Sequence, residues 1–154
     1  MLRVTKLADY GIVILTHLAS HGGATANARD IASEVHLPVP VVSKILKSLA
    51  RHGLLESHRG IKGGYGLARK PEAITIAQII LALEGPIAVT ECNDRIRGEC
   101  GLETGCPVST NWQRINQAIY QALETITLAE MTRPLRRPLV GMPSQTGSSP
   151  FQVL

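Results

Sequence analysis

The chain is poor in aromatics. Phe, Trp and Tyr together supply only five of its 154 residues, so Leu, Ile, Val and Ala must fill whatever core it builds. No stretch reaches the roughly 18 uninterrupted apolar residues that a membrane-spanning helix needs. The opening run MLRVTKLADYGIVILTHLAS places basic residues before apolar ones, but Asp9, Tyr10, Thr16 and His17 interrupt it and no small-residue cleavage site follows. It reads as a soluble helix and not as a signal peptide. No glycine-rich nucleotide-binding motif is visible, and no catalytic base accompanies the cysteines in sequence, so an enzyme is not expected.

What is present is one domain's length of chain, with a net charge of +4 and a pI near 9.2. Such a balance permits a nucleic-acid partner without demonstrating one. A cytoplasmic location is expected, and thiols stay reduced there. An odd count of three cysteines then favours metal or redox chemistry over a disulfide framework.

All three cysteines fall in ECNDRIRGECGLETGC, at Cys92, Cys100 and Cys106. Gly98, Gly101, Gly105, Asn93 and Asp94 between them mark an irregular loop, and Pro107 closes it. Three thiolates are soft ligands that suit an iron–sulfur cluster or zinc. Structural zinc is usually held by ligand pairs about two to four residues apart. Here the gaps are seven and five residues, and no histidine follows His58. The cluster is the stronger reading.

Ahead of this loop the periodicity predicts a helix from Leu7 to about Ser20, a short one over Ala28–Val35, and a third over about Pro40–His52. Val42, Ile45, Leu46 and Leu49 of the third helix fall at i, i+3, i+4 and i+7, and Ser43, Lys44, Lys47 and Arg51 fall largely on the other side. A short helix, a tight turn and a basic longer helix form a helix-turn-helix, whose second member lies in the DNA major groove. An ordinary solvated helix face is the alternative. Gly53 then caps the helix, and residues 54–67 read as a glycine-rich hairpin with Arg59 and Lys62 near its tip and Gly63 and Gly64 beside them. Helix-turn-helix plus basic hairpin makes a winged helix.

Thr75 and Gln78 form a capping box, with Ile74 and Ile79 as a hydrophobic staple, and Gly85-Pro86 stops the helix that follows. Beyond the cysteines, Thr110 and Gln113 repeat the capping-box spacing. Trp112, Ile115, Ile119 and Leu123 continue an apolar stripe that persists through Ile126 and Leu128 on a helix of about five turns. Such a helix is a natural dimerisation element, or it packs back on its own domain. From Thr132 onward four of the nine prolines and no periodicity predict a disordered tail.

The opening VTKLADYG, the segment DIASEVHLPVPVVSKILKSLARHGLL, the wing RGIKGGYGLARKPEAITIAQIILALEG, the three cysteines and TLAEM together resemble the Rrf2 family of bacterial winged-helix regulators, over roughly residues 1–131. Within it the sequence is most similar to regulators of SUF iron–sulfur assembly genes. The resemblance implies a homodimer that binds a palindromic double-stranded operator, with iron–sulfur ligands at Cys92, Cys100 and Cys106; whether the cluster is 2Fe–2S or 4Fe–4S stays open. The first gap exceeds the usual family spacing, and Ser109 stands where IscR-like members carry a histidine. NsrR-like members use an aspartate that aligns with Asp9, the first candidate for a fourth ligand; Glu91, Asp94, Glu99, Glu103 and Ser109 are others. Ser43 replaces a glutamate of IscR-like members, which argues against their cluster-dependent change of operator class.

The expected fold is mainly α with a small β wing: a winged helix-turn-helix DNA-binding domain over 1–85, a cysteine cluster loop over 86–107, a dimerisation helix over 108–131 and a tail over 132–154. The expected function is an iron–sulfur-sensing transcription regulator, a repressor of suf-type genes. A nitric-oxide or redox-sensing regulator of the same family and a cluster carrier that does not bind DNA are the alternatives. The DNA-contacting set is Ser43, Lys44, Lys47, Arg51, Arg59, Lys62, Gly63 and Gly64.

Overall fold

The computed structural model describes residues 4–60, 63–90 and 106–133. Cys92, Cys100, Lys62 and the tail from residue 134 therefore lie outside the described residues. Chain order is α1 (Lys6–Ser20), α2 (Ala28–Glu34), α3 (Val39–Arg51), β1 (Leu55–His58), β2 (Gly64–Leu67), a 3-10 turn (Pro71–Ala73), α4 (Ile76–Glu84), α5 (Ser109–Thr125) and α6 (Leu128–Met131).

Local chemistry sets most of the boundaries. Thr5 caps α1 by accepting from the Ala8 amide, and the helix ends at Gly22 and Gly23, both at positive φ. Asn27 caps α2 by accepting from the Arg29 and Asp30 amides at 3.0 Å each. The tight turn into α3 runs through His36, the one described non-glycine residue at positive φ. Pro40 then sits in the first turn of α3, where its missing N–H costs nothing. At the far end the Leu54 amide donates to the Leu49 carbonyl and the Gly53 amide to Ala50, with Gly53 at φ +72°. This Schellman closure turns the chain sharply into β1.

The core is aliphatic, as the shortage of aromatics requires. Ile14, Leu15 and Leu18 of α1 meet Ile31 of α2, the stripe Val42, Ile45, Leu46 and Leu49 of α3, and Ile79 of α4. The capping box of Thr75 and Gln78 is present, and Ile74 is fully buried beside it. On α4 the buried face is Ile76, Ala77, Ile79 and Ala82, while Ile80 and Leu83 are only partly covered.

The hairpin is antiparallel, with Leu55 opposite Leu67 and His58 opposite Gly64. Ala26 and Tyr65 exchange backbone hydrogen bonds at 3.1 and 2.8 Å, so the segment before α2 joins the wing as a third short edge.

Two expectations for the C-terminal segment are corrected. Thr110 does not cap a helix: α5 begins at Ser109 behind Val108, with no side-chain cap. The chain already coils directly after Pro107, and Trp112 donates to the Val108 carbonyl at 3.0 Å. Nor does one helix run through Ile126 and Leu128. Ile126 is extended, its carbonyl accepts from the Ile76 amide at 2.9 Å, and the Leu128 amide donates to Ile74 at 2.8 Å. This bridge to the start of α4 breaks the helix and drops Leu128 fully buried into the core. A new capping box, Thr127 with Glu130, starts α6.

Candidate nucleic-acid interface

Burial of one face of α3 fixes what the other presents. Lys44, Lys47 and Arg51 fall at i, i+3 and i+7 and are all exposed, opposite the buried stripe. Ser43 and Ser48 occupy the two flanks, both half-buried. Ser48 is taken up by the fold: its hydroxyl donates to the Ala82 carbonyl on α4 at 2.9 Å. Ser43 has no such partner among the hydrogen bonds of the described residues.

The electrostatics of this face are of one sign. α3 contains no acidic residue. Among the described residues, every ion pair involves a histidine, so no carboxylate neutralises Lys44, Lys47, Arg51 or Arg59. α1 and α2 have an aspartate in their first turns, but α3 has none, and no side chain caps it. Pro40 has no N–H there and the Val41 amide donates to the Pro38 carbonyl at 3.0 Å, so the basic side chains and not this helix end supply the positive charge of the face.

The wing adds Arg59, exposed at the end of β1. Gly63 and Gly64 are half-buried at the base of the turn, and the fold itself requires them to be glycine. A Cβ on Gly64 would stand 2.5 Å from the Ala26 carbonyl oxygen, and one on Gly63 would strike the His58 carbonyl. Close backbone approach explains both residues without DNA. Lys62 lies outside the described residues.

With Lys44, Lys47, Arg51 and Arg59 exposed on a helix and a wing, relatives of the chain become informative. The sequence model of the Rrf2 family, described as an iron-dependent transcriptional regulator, matches residues 4–134. The chain belongs to the Rrf2 family. It is 32% identical to Protein rrf2 of Nitratidesulfovibrio vulgaris over 133 residues, covering 86% of this chain and 88% of that protein. The solved structure of CymR, titled the global cysteine regulator of B. subtilis, superposes with a TM-score of 0.65 at 30% identity, over 86% of this chain and 97% of that one. The IscR of T. potens gives 0.65 and 30%, over 84% and 85%. The protein is thus a DNA-binding transcription regulator of the winged-helix kind and not an enzyme.

The second candidate region of this Rrf2 protein lies where the cysteine stretch meets α5. Cys106 is half-buried with a free thiol, and its carbonyl accepts from the Ser109 amide at the start of α5. On the other side of the stretch, Asn116 of α5 accepts from the Val89 amide at 3.0 Å and donates to the Ile87 carbonyl at 2.9 Å. Both flanks are therefore held on one helix. Sequence reasoning passes over Asn116, whose signal is an amide spaced i+4 from Trp112 and i−3 from Ile119, on the side of the helix that carries the apolar stripe.

Asp9 is exposed in the first turn of α1. Its neighbour Ala8 lines a cavity of about 330 Å³ together with Val4, Ile87, Val89, Ile119 and Leu123. The start of α1 thus faces the segment that leads into the cysteines. Ser109, the other oxygen candidate among the described residues, opens α5 and is half-buried.

Proposed function

We propose that this Rrf2 protein is an iron–sulfur-responsive repressor, acting as a homodimer on a palindromic operator upstream of suf-type assembly genes. The observation that carries the reading is the pinning of the three-cysteine stretch on α5, by Asn116 at one flank and Cys106 at the other. Three thiolates on one loop fit an iron–sulfur cluster by ligand softness, and Cys92, Cys100 and Cys106 would hold it, with Asp9 the first choice for the remaining position. A bound cluster supplies a centre whose assembly depends on iron and whose integrity depends on oxidants.

In this reading residues 1–85 engage DNA, 86–107 sense, α5 mediates dimerisation and 132–154 form a tail. Lys44, Lys47, Arg51, Arg59 and Lys62 approach phosphates, with Arg59 suited to a minor groove, and Ser43 is free for a base edge. Gly63 and Gly64 serve the wing itself, letting its backbone pack on His58 and Ala26. The two wings must match half-sites about one helical turn apart. Any change in how the loop holds α5 alters their setting, and a coupling on the order of 1–3 kcal/mol is enough to matter for occupancy.

The test is a mobility-shift titration on the chain's own promoter with anaerobically purified protein whose iron and sulfide have been counted. The loaded protein binds tightly, and the stripped protein and Cys92→Ala bind at least tenfold more weakly. Equal affinity in all three would sink the sensing role and leave the regulator.

A further inference from the structure

One cluster of ligating side chains lies away from both regions. His17 in the last turn of α1 and His21 at its C-cap stand one turn apart, with ring centroids 4.2 Å apart. Glu34, the last residue of α2, brings Oε2 to 3.2 Å from His17 Nε2 and 3.7 Å from His21 Nε2. The ligand atoms of all three lie within 4.8 Å of one another.

The hydrogen bonding fixes which atoms are available. His21 Nδ1 is 2.8 Å from the His17 carbonyl oxygen. A carbonyl only accepts, so Nδ1 carries the proton and the Nε2 of the neutral ring presents its lone pair towards Glu34. The lone pair and the carboxylate face each other across a gap that either a proton on Nε2 or a metal cation can close. Two ligand atoms about 2.0–2.1 Å from a tetrahedral zinc ion are about 3.4 Å apart, which the observed 3.2 and 3.7 Å bracket. The Nδ1 bond to a backbone carbonyl is also the outer-shell contact that metal-bound histidines make.

We infer that His17, His21 and Glu34 form a binding site for a divalent transition-metal ion of the zinc, nickel or copper class. Two imidazoles and one carboxylate suit these ions, whereas calcium and magnesium take all-oxygen sets. Water fills the remaining positions, since His21 and Glu34 are each 54% exposed at the side chain. The occupant joins the end of α1 to the end of α2. Because α2 is the first helix of the helix-turn-helix, the ion stiffens the frame on which α3 is held. The site shares no residue with the cysteine stretch and does not depend on it.

Zinc titration of the full chain with Cys92→Ser, Cys100→Ser and Cys106→Ser tests this without competing thiolates. One zinc binds per chain, and His21→Ala or Glu34→Gln weakens it by about tenfold or more. His52→Ala is the control: its Nδ1 makes the same bond, to the Ser48 carbonyl at 2.9 Å, but it belongs to no such ligand group among the described residues. Should the triple serine chain misfold, zinc is added to the unmodified chain beyond what its three thiolates take up, and the imidazole resonances of His17 and His21 shift together in that last phase. Zinc affinity indifferent to His21 and Glu34, unmoved resonances, or uptake that never saturates would each reduce the trio to an ion pair and overturn the inference.

Discussion

Asn116 grips Val89 across 27 positions of chain, accepting from its amide at 3.0 Å while the same carboxamide donates to the Ile87 carbonyl at 2.9 Å. One side chain satisfies both a donor and an acceptor of the irregular segment entering the cysteine stretch. Only an amide does both, because a carboxylate cannot donate and a hydroxyl is too short to span the pair.

Asn116→Ala should therefore leave two backbone groups without their partner at a half-buried site. Each loss costs about 0.5–1.5 kcal/mol. We expect a fall in unfolding free energy of about 1–3 kcal/mol, read from urea midpoints at unchanged m-value. Asn116→Asp keeps the acceptor and places charge beside the Ile87 carbonyl, so it should be no better than alanine. If Asn116→Ala unfolds like the parent protein, the grip is not formed in solution.

The salt dependence of operator binding separates the cations of α3 from ordinary surface charge. Each phosphate contact contributes roughly 0.9 to the slope of log K against log salt. Lys47→Ala should weaken specific and non-specific DNA about equally and flatten that slope by about one unit, since Lys47 is exposed opposite the buried stripe. Ser43→Ala should leave the slope alone and change affinity only at particular base pairs. An undiminished slope for Lys47→Ala would place that residue off the DNA.

How much of this is readable from residue order depends on the range of the interaction involved. The stripe of α3, its glycine closure and the Thr75–Gln78 box are local, and spacing alone reveals them. Thr110–Gln113 has the same spacing and no box, because Pro107 and Val108 begin the helix before Thr110 is reached. The break at Ile126 is long-range in origin. Its carbonyl is claimed by the Ile76 amide fifty residues earlier in the chain, and an apolar period running from Ile115 to Leu128 gives no hint of it. Glu34 likewise joins His17 and His21 only because α2 folds against the end of α1.

Glu130 gives the start of α6 a pH dependence. Its carboxylate accepts from the Thr127 amide at 2.7 Å and from the Thr127 hydroxyl at 3.0 Å. The backbone bond first, the hydroxyl next and nearby Arg133 last hold its pKa below the usual glutamate value, outweighing a small opposing effect of burial. A lowered folded-state pKa means that the stabilisation is complete above the ordinary glutamate range and fades as pH drops through the folded value. The melting temperature of Glu130→Gln should thus lie below that of the parent at neutral pH, and the two should converge in acid. Parallel curves down to low pH would show that the capping bond does not form.

The apolar face of α5 predicts the oligomeric state. The helix has 17 residues and buries none of them fully. Ile119 and Leu123 are half-covered by their own subunit, whereas Ile115 remains 44% exposed and Val108 45%. Leaving a large aliphatic side chain in water forgoes about 1.5–3 kcal/mol relative to burial, and two copies of the face would recover this by packing against each other around a two-fold axis. Ile115→Asp would place a charge in that seam at little cost to the monomer, whose buried core does not include Ile115. Sedimentation should show the parent near twice the 16.6 kDa of one chain and the variant near one, with an unchanged far-ultraviolet circular dichroism spectrum. Operator affinity should fall with the dimer, because two half-sites need two wings held together. A variant that stays dimeric would move the interface off this face of α5.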